Sequence, residues 1–228
     1  MAREPAPADP MNVPDQRTRT LWPPNGELSN WIQAQFAPGF QGWALDVGAS
    51  DGISVNSTYL LEKVGHWTVL CVEPNPVFSQ TLLASRAMVA KVACDAAPGV
   101  KVFHSFDHNP EAYSALRPTF PPDFPFQRGD GGPNGWTTFD VQVETVDRLL
   151  VRWEFPRLDA LCIDTEGTEL EVLEGCDLVR WRPRVIVCEC WQEDGGSIEP
   201  HLHGFGYRKQ KRMTHNDLYL LEEEPHAG

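Results

Sequence analysis

The stretch that decides the fold is WALDVGASDG, residues 43–52. It opens with a short apolar run typical of a buried strand and closes with a turn that begins and ends in glycine. Gly48 and Gly52 let the backbone approach a ligand closely. Their spacing is not the G-x-G-x-x-G of dinucleotide enzymes, and Asp46 and Asp51 would repel a pyrophosphate. The turn therefore favours a ligand with positive charge or an amine, and an ordinary strand-to-helix turn is the alternative.

A second acid, Glu73, directly follows the next predicted strand. A carboxylate beside the first strand can accept hydrogen bonds from both hydroxyls of a ribose. The alternative is a cap for the helix that follows, although Pro74 and Pro76 already restrict that turn. Together the glycine turn and Glu73 favour a nucleoside ligand without phosphates. S-adenosylmethionine fits this description, since it carries a ribose, an adenine, an amino acid and a sulfonium.

Outward from these motifs, the chain alternates between short apolar runs and helical periods. The predicted strands span 43–47, 68–72, 88–94, 158–163 and 184–190, and the predicted helices span about 28–36, 54–64, 78–86, 146–153 and 166–175. Such alternation predicts parallel strands with both faces of the sheet covered. Residues 206–213 and 217–222 predict a final antiparallel hairpin. The predicted fold class is α/β, with a Rossmann-like, doubly wound, mostly parallel sheet whose strand ends hold the ligand.

The length of 228 residues suits a single domain preceded by a tail. Residues 1–20 hold several prolines and almost no large apolar residue, so they predict a disordered N-terminal tail, and residues 21–228 predict one domain. An insert at about 104–139 is rich in proline, glycine and aromatic residues. A loop of that length is usually functional, which favours a substrate lid, with a structural flap or an oligomer contact as the alternative.

The charge balance limits the classes of partner. Lys plus Arg is 19 and Asp plus Glu is 32, which gives a formal net charge of −13 and disfavours a nucleic-acid partner. No apolar run approaches the roughly 20 residues of a membrane helix, and residues 1–20 lack the apolar core of a signal peptide. The six cysteines lie mostly in apolar runs without the spacing of a zinc site. We therefore expect buried free thiols in a cytoplasmic protein.

Taken together, the motifs resemble class I S-adenosylmethionine-dependent methyltransferases and, more narrowly, the FkbM family. The stretches that carry the resemblance are DVGASDGIS at 46–54, VEPNP at 72–76, VETVDRLL at 143–150, LDALCIDTEGTELEVLEG at 158–175 and RPRVIVCE at 182–189. The resemblance covers about residues 42–191, and the final hairpin follows the class I pattern. It implies a seven-stranded sheet and, most often, O-methyl transfer to a hydroxyl.

The resemblance also implies where the cofactor lies. The amino-acid half would meet the glycine turn, the ribose would meet Glu73, and the adenine would meet the end of the third strand. Either Ser50 or Asp51 would bind the amino group. The implied cofactor contacts are Asp46, Gly48, Ala49, Ser50, Asp51, Gly52, Glu73, Pro74, Asn75, Cys94, Asp95 and Asp164.

The acids after the fourth predicted strand are the candidates for catalysis. Methyl transfer needs an acceptor oxygen in line with the sulfonium, and a hydroxyl acceptor benefits from a nearby base. We predict Asp164 and Glu166 as the catalytic residues, although Glu166 also suits the first turn of a helix. Asp164 and Glu189 end neighbouring strands and could instead hold Mg²⁺ together with acceptor oxygens. The sequence leaves the metal ligands open.

Other polar groups give weaker signals. His104, His108 and His215 lie near the same rim and are reserve candidates for the base. His201 and His203 suggest a surface loop rather than a metal site. The basic run at 208–212 is typical of a solvated strand face, and a minority of such runs bind an anionic substrate.

The sequence thus predicts a methyltransferase that acts on a hydroxyl of a small molecule or glycan. An RNA or nucleotide methyltransferase is the alternative enzyme, which the basic run and the aromatic insert would support. A cofactor-binding module without catalysis is the alternative of a different class.

Overall fold

The computed structural model describes residues 25–54, 56–106, 114–116, 136–192 and 195–222. The predicted tail, most of the predicted insert and His108 lie outside these residues. The described helices are α1 (Asn25–Gln33), α2 (Tyr59–Lys63), α3 (Ser79–Ser85), α4 (Val146–Arg152), α5 (Glu169–Glu174) and α6 (Ile198–Gly204). The described strands are β1 (Trp43–Val47), β2 (Thr68–Val72), β3 (Met88–Ala90), β4 (Ala93–Cys94), β5 (Gly99–Phe106), β6 (Trp136–Glu144), β7 (Ala160–Ile163), β8 (Val185–Glu189), β9 (Tyr207–Met213) and β10 (Asn216–Leu221).

Seven strands form the main sheet in the order β3-β2-β1-β7-β8-β10-β9. The first five of these run parallel, and β10 is antiparallel to both β8 and β9. The predicted doubly wound sheet with its C-terminal hairpin is therefore confirmed. The chain moves outward from β1 to β3 and later crosses to β7 on the other side of β1. Such a reversal opens a crevice at the carboxyl ends of the strands, which is where a ligand binds in sheets of this kind.

The central strands are largely apolar because both faces of the sheet are covered. Leu45 of β1 belongs to one buried cluster, together with Leu149 and Leu150 of α4. Its neighbour Ala44 belongs to a second cluster on the opposite face, together with Ile32 of α1. Side chains alternate between the faces along a strand, so both residues of such a pair must be apolar.

The predicted third strand and the predicted insert both differ from the structure. Residues 88–94 form two strands, and the second of them, β4, leaves the main sheet for a smaller one with the order β4-β6-β5. Strands β5 and β6 extend into both ends of the predicted insert, over residues 104–106 and 136–139. Phe103 and Phe139 face each other across this hairpin with ring centroids 5.6 Å apart. Cross-strand aromatic pairing of this kind stabilises strands that flank a proline-rich segment.

Two predicted helices begin later than the sequence indicates. The helix predicted at 54–64 begins at Tyr59, and the Asp51 carboxylate accepts the backbone N–H groups of Ile53 and Ser54 before it. The helix predicted at 166–175 begins at Glu169. Bonds from short polar side chains to the backbone compete with helix formation, which explains the shortening before α2.

The region of His201 and His203 was expected to form a surface loop, and this prediction is wrong. Both residues lie in α6, whose buried side chains are Ile198 and Leu202. Pro200 is tolerated because the first turn of a helix has no hydrogen-bond partner for that N–H group.

All six cysteines are buried and free, as expected. Among the described residues, no helix combines the length and the apolar character that a membrane span requires.

Candidate active site

A cavity of about 390 Å³ lies at the carboxyl ends of β1, β2, β7 and β8. The smaller sheet contributes a further wall through Cys94 and Phe103. Of the predicted site residues, those that line the cavity are Gly48, Ser50, Glu73, Pro74, Cys94, Asp164 and Glu166. The structure thus brings both predicted catalytic acids together with half of the predicted cofactor contacts.

The glycine turn crosses closely over the strand beside it. Gly48 has a φ of +85°, and a Cβ atom there would lie 1.7 Å from the backbone oxygen of Asp164. The N–H groups of Gly48 and Ala49 both donate to the carbonyl of Val72, over 2.9 and 3.1 Å. Glycine is therefore required at position 48, and the turn is fixed to both neighbouring strands.

Glu73 is buried at the end of β2 and bonded to the backbone on two sides. One carboxylate oxygen accepts the N–H of Ser50 at 2.9 Å, and the other accepts the N–H of Asn75 at 2.7 Å. Burial raises the pKa of Glu73 to about 7, opposed by these two hydrogen bonds. A carboxylate has about four acceptor positions, so Glu73 keeps capacity for further donors on its cavity side.

Asp46 lies behind the glycine turn rather than in the cavity lining. Its Oδ2 atom accepts hydrogen bonds from Asn56 and Thr58, each over 2.7 Å, and lies 3.9 Å from Nη1 of Arg86. Burial raises the pKa of Asp46, and the Arg86 guanidinium opposes that shift. A direct cofactor contact for Asp46 stays a prediction.

Arg86 is the buried centre of this arrangement and was not singled out from the sequence. It donates to Glu62 over 2.6 Å, to Thr58 over 2.8 Å and to the carbonyl of Gly52 over 3.0 Å. Gly52 fits against it closely, since a Cβ atom there would lie 2.8 Å from Cγ of Arg86. The guanidinium therefore holds the far side of the glycine turn.

The remaining predicted cofactor contacts do not line the cavity. Asp51 caps the backbone after the turn, and Asn75 donates to Ser105 over 3.0 Å. Asp95 is buried and forms an ion pair with Lys101. Ala49 and Gly52 belong to the glycine turn described above.

Three acids form a cluster at the other end of the cavity, called here the carboxylate group: Asp164, Glu166 and Glu189. One oxygen of each lies within 4.8 Å of the others. Asp164 and Glu166 follow β7, and Glu189 ends the neighbouring strand β8. Glu166 has a φ of +57°, which is uncommon for a residue with a side chain. Glu169 supports this turn by accepting the N–H groups of Thr165 and Gly167.

The carboxylate group is poorly supplied with hydrogen-bond donors. Among the described residues, none donates to the buried Oε2 atoms of Glu166 and Glu189. Burial raises the pKa of Asp164 to about 6, and burial with repulsion from Asp164 and Glu169 raises that of Glu166 to about 9. The pKa of Glu189 rises well above its ordinary range for the same reasons. When all three acids are ionised, their burial and mutual repulsion are costly in free energy. A bound cation, or a proton taken up by one of the acids, would lower that cost.

An aromatic pair stands beside the carboxylate group. The rings of Trp191 and His215 stack with centroids 4.1 Å apart and 26° between their planes, and both line the cavity. Trp191 follows β8, and His215 lies in the turn between β9 and β10. Of the three reserve histidines, His215 is thus placed in the lining, whereas His104 lies in β5 outside it. Trp191 directly follows the predicted strand 184–190, and this position at the rim is the signal that could have identified it as a site residue.

The basic run at 208–212 forms β9, and its charges are largely paired. Arg212 and Lys209 both contact Asp217, over 2.7 and 2.9 Å, and Arg208 lies 3.3 Å from Glu222. None of these residues lines the cavity. The sequence predicts a solvated strand face here, and the structure adds that most charges of this face are paired within the hairpin.

Comparisons with known proteins show the family and the fold of the chain. The family model described as the methyltransferase FkbM domain matches residues 46–209. A crystal structure of methyltransferase FkbM from Methylobacillus flagellatus KT is similar with a TM-score of 0.51 and 16% identity, over 85% of this chain and 47% of that one. The chain thus spans about half the length of that protein. No curated protein sequence matches.

Two human proteins show weaker likeness. The N-terminal domain of human METTL16 in complex with SAH gives a TM-score of 0.46 at 14% identity, over 86% of this chain and 66% of that one. The structure of the human methyltransferase 10 domain containing protein gives a TM-score of 0.43 at 13% identity, over 86% of this chain and 78% of that one.

Proposed function

The chain belongs to the FkbM methyltransferase family, with the class I fold, and from that premise we propose that it uses S-adenosylmethionine to methylate a hydroxyl of an uncharged small molecule or glycan. The observation that carries this proposal is the pairing of Gly48 and Glu73 on the lining of one cavity. A closely approaching backbone and an acid at the end of the next strand suit the amino-acid and ribose parts of the cofactor.

The contacts of the glycine turn and β2 support this placement of the cofactor. Glu73 would accept both ribose hydroxyls with the lone pairs that Ser50 and Asn75 leave unused. Cys94 and Phe78 line the cavity on the same side, and their apolar surfaces suit an adenine ring. The methionine half would then extend along Gly48 toward Asp164.

The charge of the cavity supports a cationic cofactor and disfavours an anionic acceptor. Its lining contains four acids and, among the described residues, no lysine or arginine. Such a lining attracts the positive sulfonium and repels phosphate groups. An RNA or nucleotide acceptor would bring its phosphates to this acidic surface, where the described lining has no basic side chain to meet them and most charges of the β9 run are paired elsewhere.

Methyl transfer depends mainly on how the protein positions the acceptor oxygen relative to the sulfonium. The acceptor oxygen attacks the methyl carbon, the C–S bond breaks with its electron pair passing to sulfur, and neutral S-adenosylhomocysteine remains. The hydroxyl proton must leave, and Asp164 and Glu166 are the carboxylates that we propose to receive it. The aromatic pair of Trp191 and His215 gives a flat wall against which the acceptor can be held in line.

The proposal is tested in two stages. S-adenosylmethionine and S-adenosylhomocysteine should each raise the melting temperature, because a ligand of the native state stabilises it. Transfer of a labelled methyl group is then measured over a panel of uncharged alcohols and sugars, phosphorylated sugars and short RNAs. We expect labelling of an uncharged hydroxyl. Cofactor binding without transfer to any acceptor would favour the non-catalytic module, and labelling confined to RNA or phosphorylated sugars would overturn the acceptor class.

A further inference from the structure

We propose that the carboxylate group of Asp164, Glu166 and Glu189 binds a hard divalent cation, such as Mg²⁺, beside the acceptor. The proposal deepens the proposed function, and the cation's part in methyl transfer rests on that function. The binding itself depends only on the three side chains and their surroundings.

The spacing of the three oxygens suits one ion. They lie within 4.8 Å of one another. Oxygen ligands at 2.0–2.1 Å from Mg²⁺ stand about 3 to 4.2 Å apart in an octahedron, and the longer bonds to Ca²⁺ allow up to about 5 Å. Small side-chain rotations are therefore enough to bring all three onto a shared ion, with acceptor or water oxygens completing its shell.

Glu189 provides a second observation that points to a ligand. It is only 6% exposed, it is fixed at the end of a buried strand, and no described donor reaches its Oε2 atom. A buried carboxylate oxygen without a partner is costly in free energy. Asp164 lies close enough to share a proton with Glu189, which is the competing way to satisfy it.

The charge count favours a divalent ion over an amine as the group that keeps all three acids ionised. In that state the three carboxylates carry three negative charges, and the cofactor brings a single net positive charge. Two negative charges remain, with no lysine or arginine in the described lining to balance them. An amine on the acceptor would supply one charge, whereas a divalent cation supplies both. The all-oxygen donor set selects hard cations such as Mg²⁺, Mn²⁺ and Ca²⁺ over softer metals.

Binding can be measured without any turnover. The full chain is freed of metal with a chelator and titrated with Mn²⁺, following the paramagnetic signal of the free ion, and Mg²⁺ or Ca²⁺ is then added as a competitor. We expect one Mn²⁺ site that Mg²⁺ displaces. Glu189→Gln keeps the shape of the side chain and removes its charge, and it should weaken Mn²⁺ binding at least about tenfold.

Glu174→Gln is the matched control, because Glu174 is an exposed acid of α5 outside the cavity. Its Mn²⁺ affinity should equal that of the unaltered chain. Should Glu189→Gln fail to fold, Glu166→Gln tests the same site from the neighbouring strand end. Circular dichroism and the affinity for S-adenosylhomocysteine report whether each variant is intact.

Two results would overturn the proposal. One is the absence of Mn²⁺ binding up to about 10 mM, a concentration above the weakest protein calcium sites, in a chain that still binds S-adenosylhomocysteine. The other is equal Mn²⁺ affinity in Glu189→Gln, Glu166→Gln and the control. A chain that binds Mn²⁺ at this site but no S-adenosylhomocysteine would retain the cation site and reject the proposed cofactor instead.

Discussion

At the β1–β2 end of the cavity the protein donates hydrogen bonds to the acids, whereas at the β7–β8 end two buried carboxylate oxygens have no donor among the described residues. Glu73 accepts two backbone N–H groups, and Asp46 is held by Asn56, Thr58 and the nearby Arg86. The carboxylate group has two buried oxygens that no described donor reaches. Acids that accept hydrogen bonds from the protein have fixed positions, and they can form a ready-made surface for a ligand. Acids left without donors indicate that part of the site comes from what binds there.

We expect the largest loss of stability from a substitution in the glycine turn, at the β1–β2 end of the cavity. In Gly48→Ala the new Cβ would lie 1.7 Å from the Asp164 carbonyl oxygen, at a φ that disfavours side chains. We expect the free energy of unfolding to fall by more than about 4 kcal/mol, the range of exceptional single substitutions. Thermal unfolding measures this.

Gly99→Ala is the control, because nothing lies within 4 Å of a Cβ atom there and its φ is not in the left-handed region. It should unfold close to the temperature of the unaltered chain. If both alanine variants behaved alike, the glycine turn would not be held as the structure indicates.

The next largest loss of stability should follow from replacing Arg86, which holds the far side of the glycine turn. Arg86→Met removes a buried guanidinium, which leaves Asp46 without its cation and Glu62 with Lys63 alone. We expect a loss of roughly 3 kcal/mol in unfolding free energy, the lower part of the range for broken buried pairs, since Asn56 and Thr58 still hold Asp46. Arg148→Met breaks an exposed pair with Glu144 and should cost less than about 1 kcal/mol. Denaturant unfolding of the two variants gives the comparison, and similar losses would contradict it.

A smaller effect separates ligand binding from stability at Glu73. Glu73→Ala removes a charged acceptor that we place at the ribose, which should weaken cofactor binding by roughly 1.5–3 kcal/mol. Calorimetric titration with S-adenosylhomocysteine measures this change. Unchanged affinity together with a large drop in melting temperature would show that Glu73 only holds the turn.

The smallest effect concerns pH. Burial raises the pKa of Glu73 from 4.5 to about 7, so between those values the folded chain binds a proton more readily than the unfolded one. The contribution of Glu73 to stability is thus present below pH 4.5 and is lost as pH rises toward 7, with a slope of up to about 1.4 kcal/mol per pH unit. Glu73→Gln should flatten that part of the stability curve. An identical slope in both proteins would show that Glu73 titrates normally.

The main sheet could be predicted because its signals are local. Trp43–Val47 and Thr68–Val72 are short, largely apolar runs, each followed by a turn motif, and the structure gives both strands the predicted bounds. The hairpin of β5 and β6 was missed because its pairing joins residues on either side of the insert, and composition alone does not reveal such a partner.

The sequence predicted which residues lie at the rim of the sheet better than it predicted which of their side chains face the cavity. Strand ends correctly indicated which residues gather at one rim, and Glu73 and Asp164 line the cavity. Asp46 precedes Val47, which lines the cavity, and alternation along a strand turns neighbouring side chains to opposite faces. Arg86 could not be identified, because its partners Gly52 and Glu62 are distant in the sequence and meet it only in the fold.

A crystal structure of the chain with S-adenosylhomocysteine would show directly whether the cofactor lies between the glycine turn and Glu73. We expect the ligand in the cavity, with both ribose hydroxyls donating to Glu73, the amino-acid half beside Gly48 and the sulfur facing the carboxylate group. A ligand bound elsewhere, or a ribose without contact to Glu73, would contradict it.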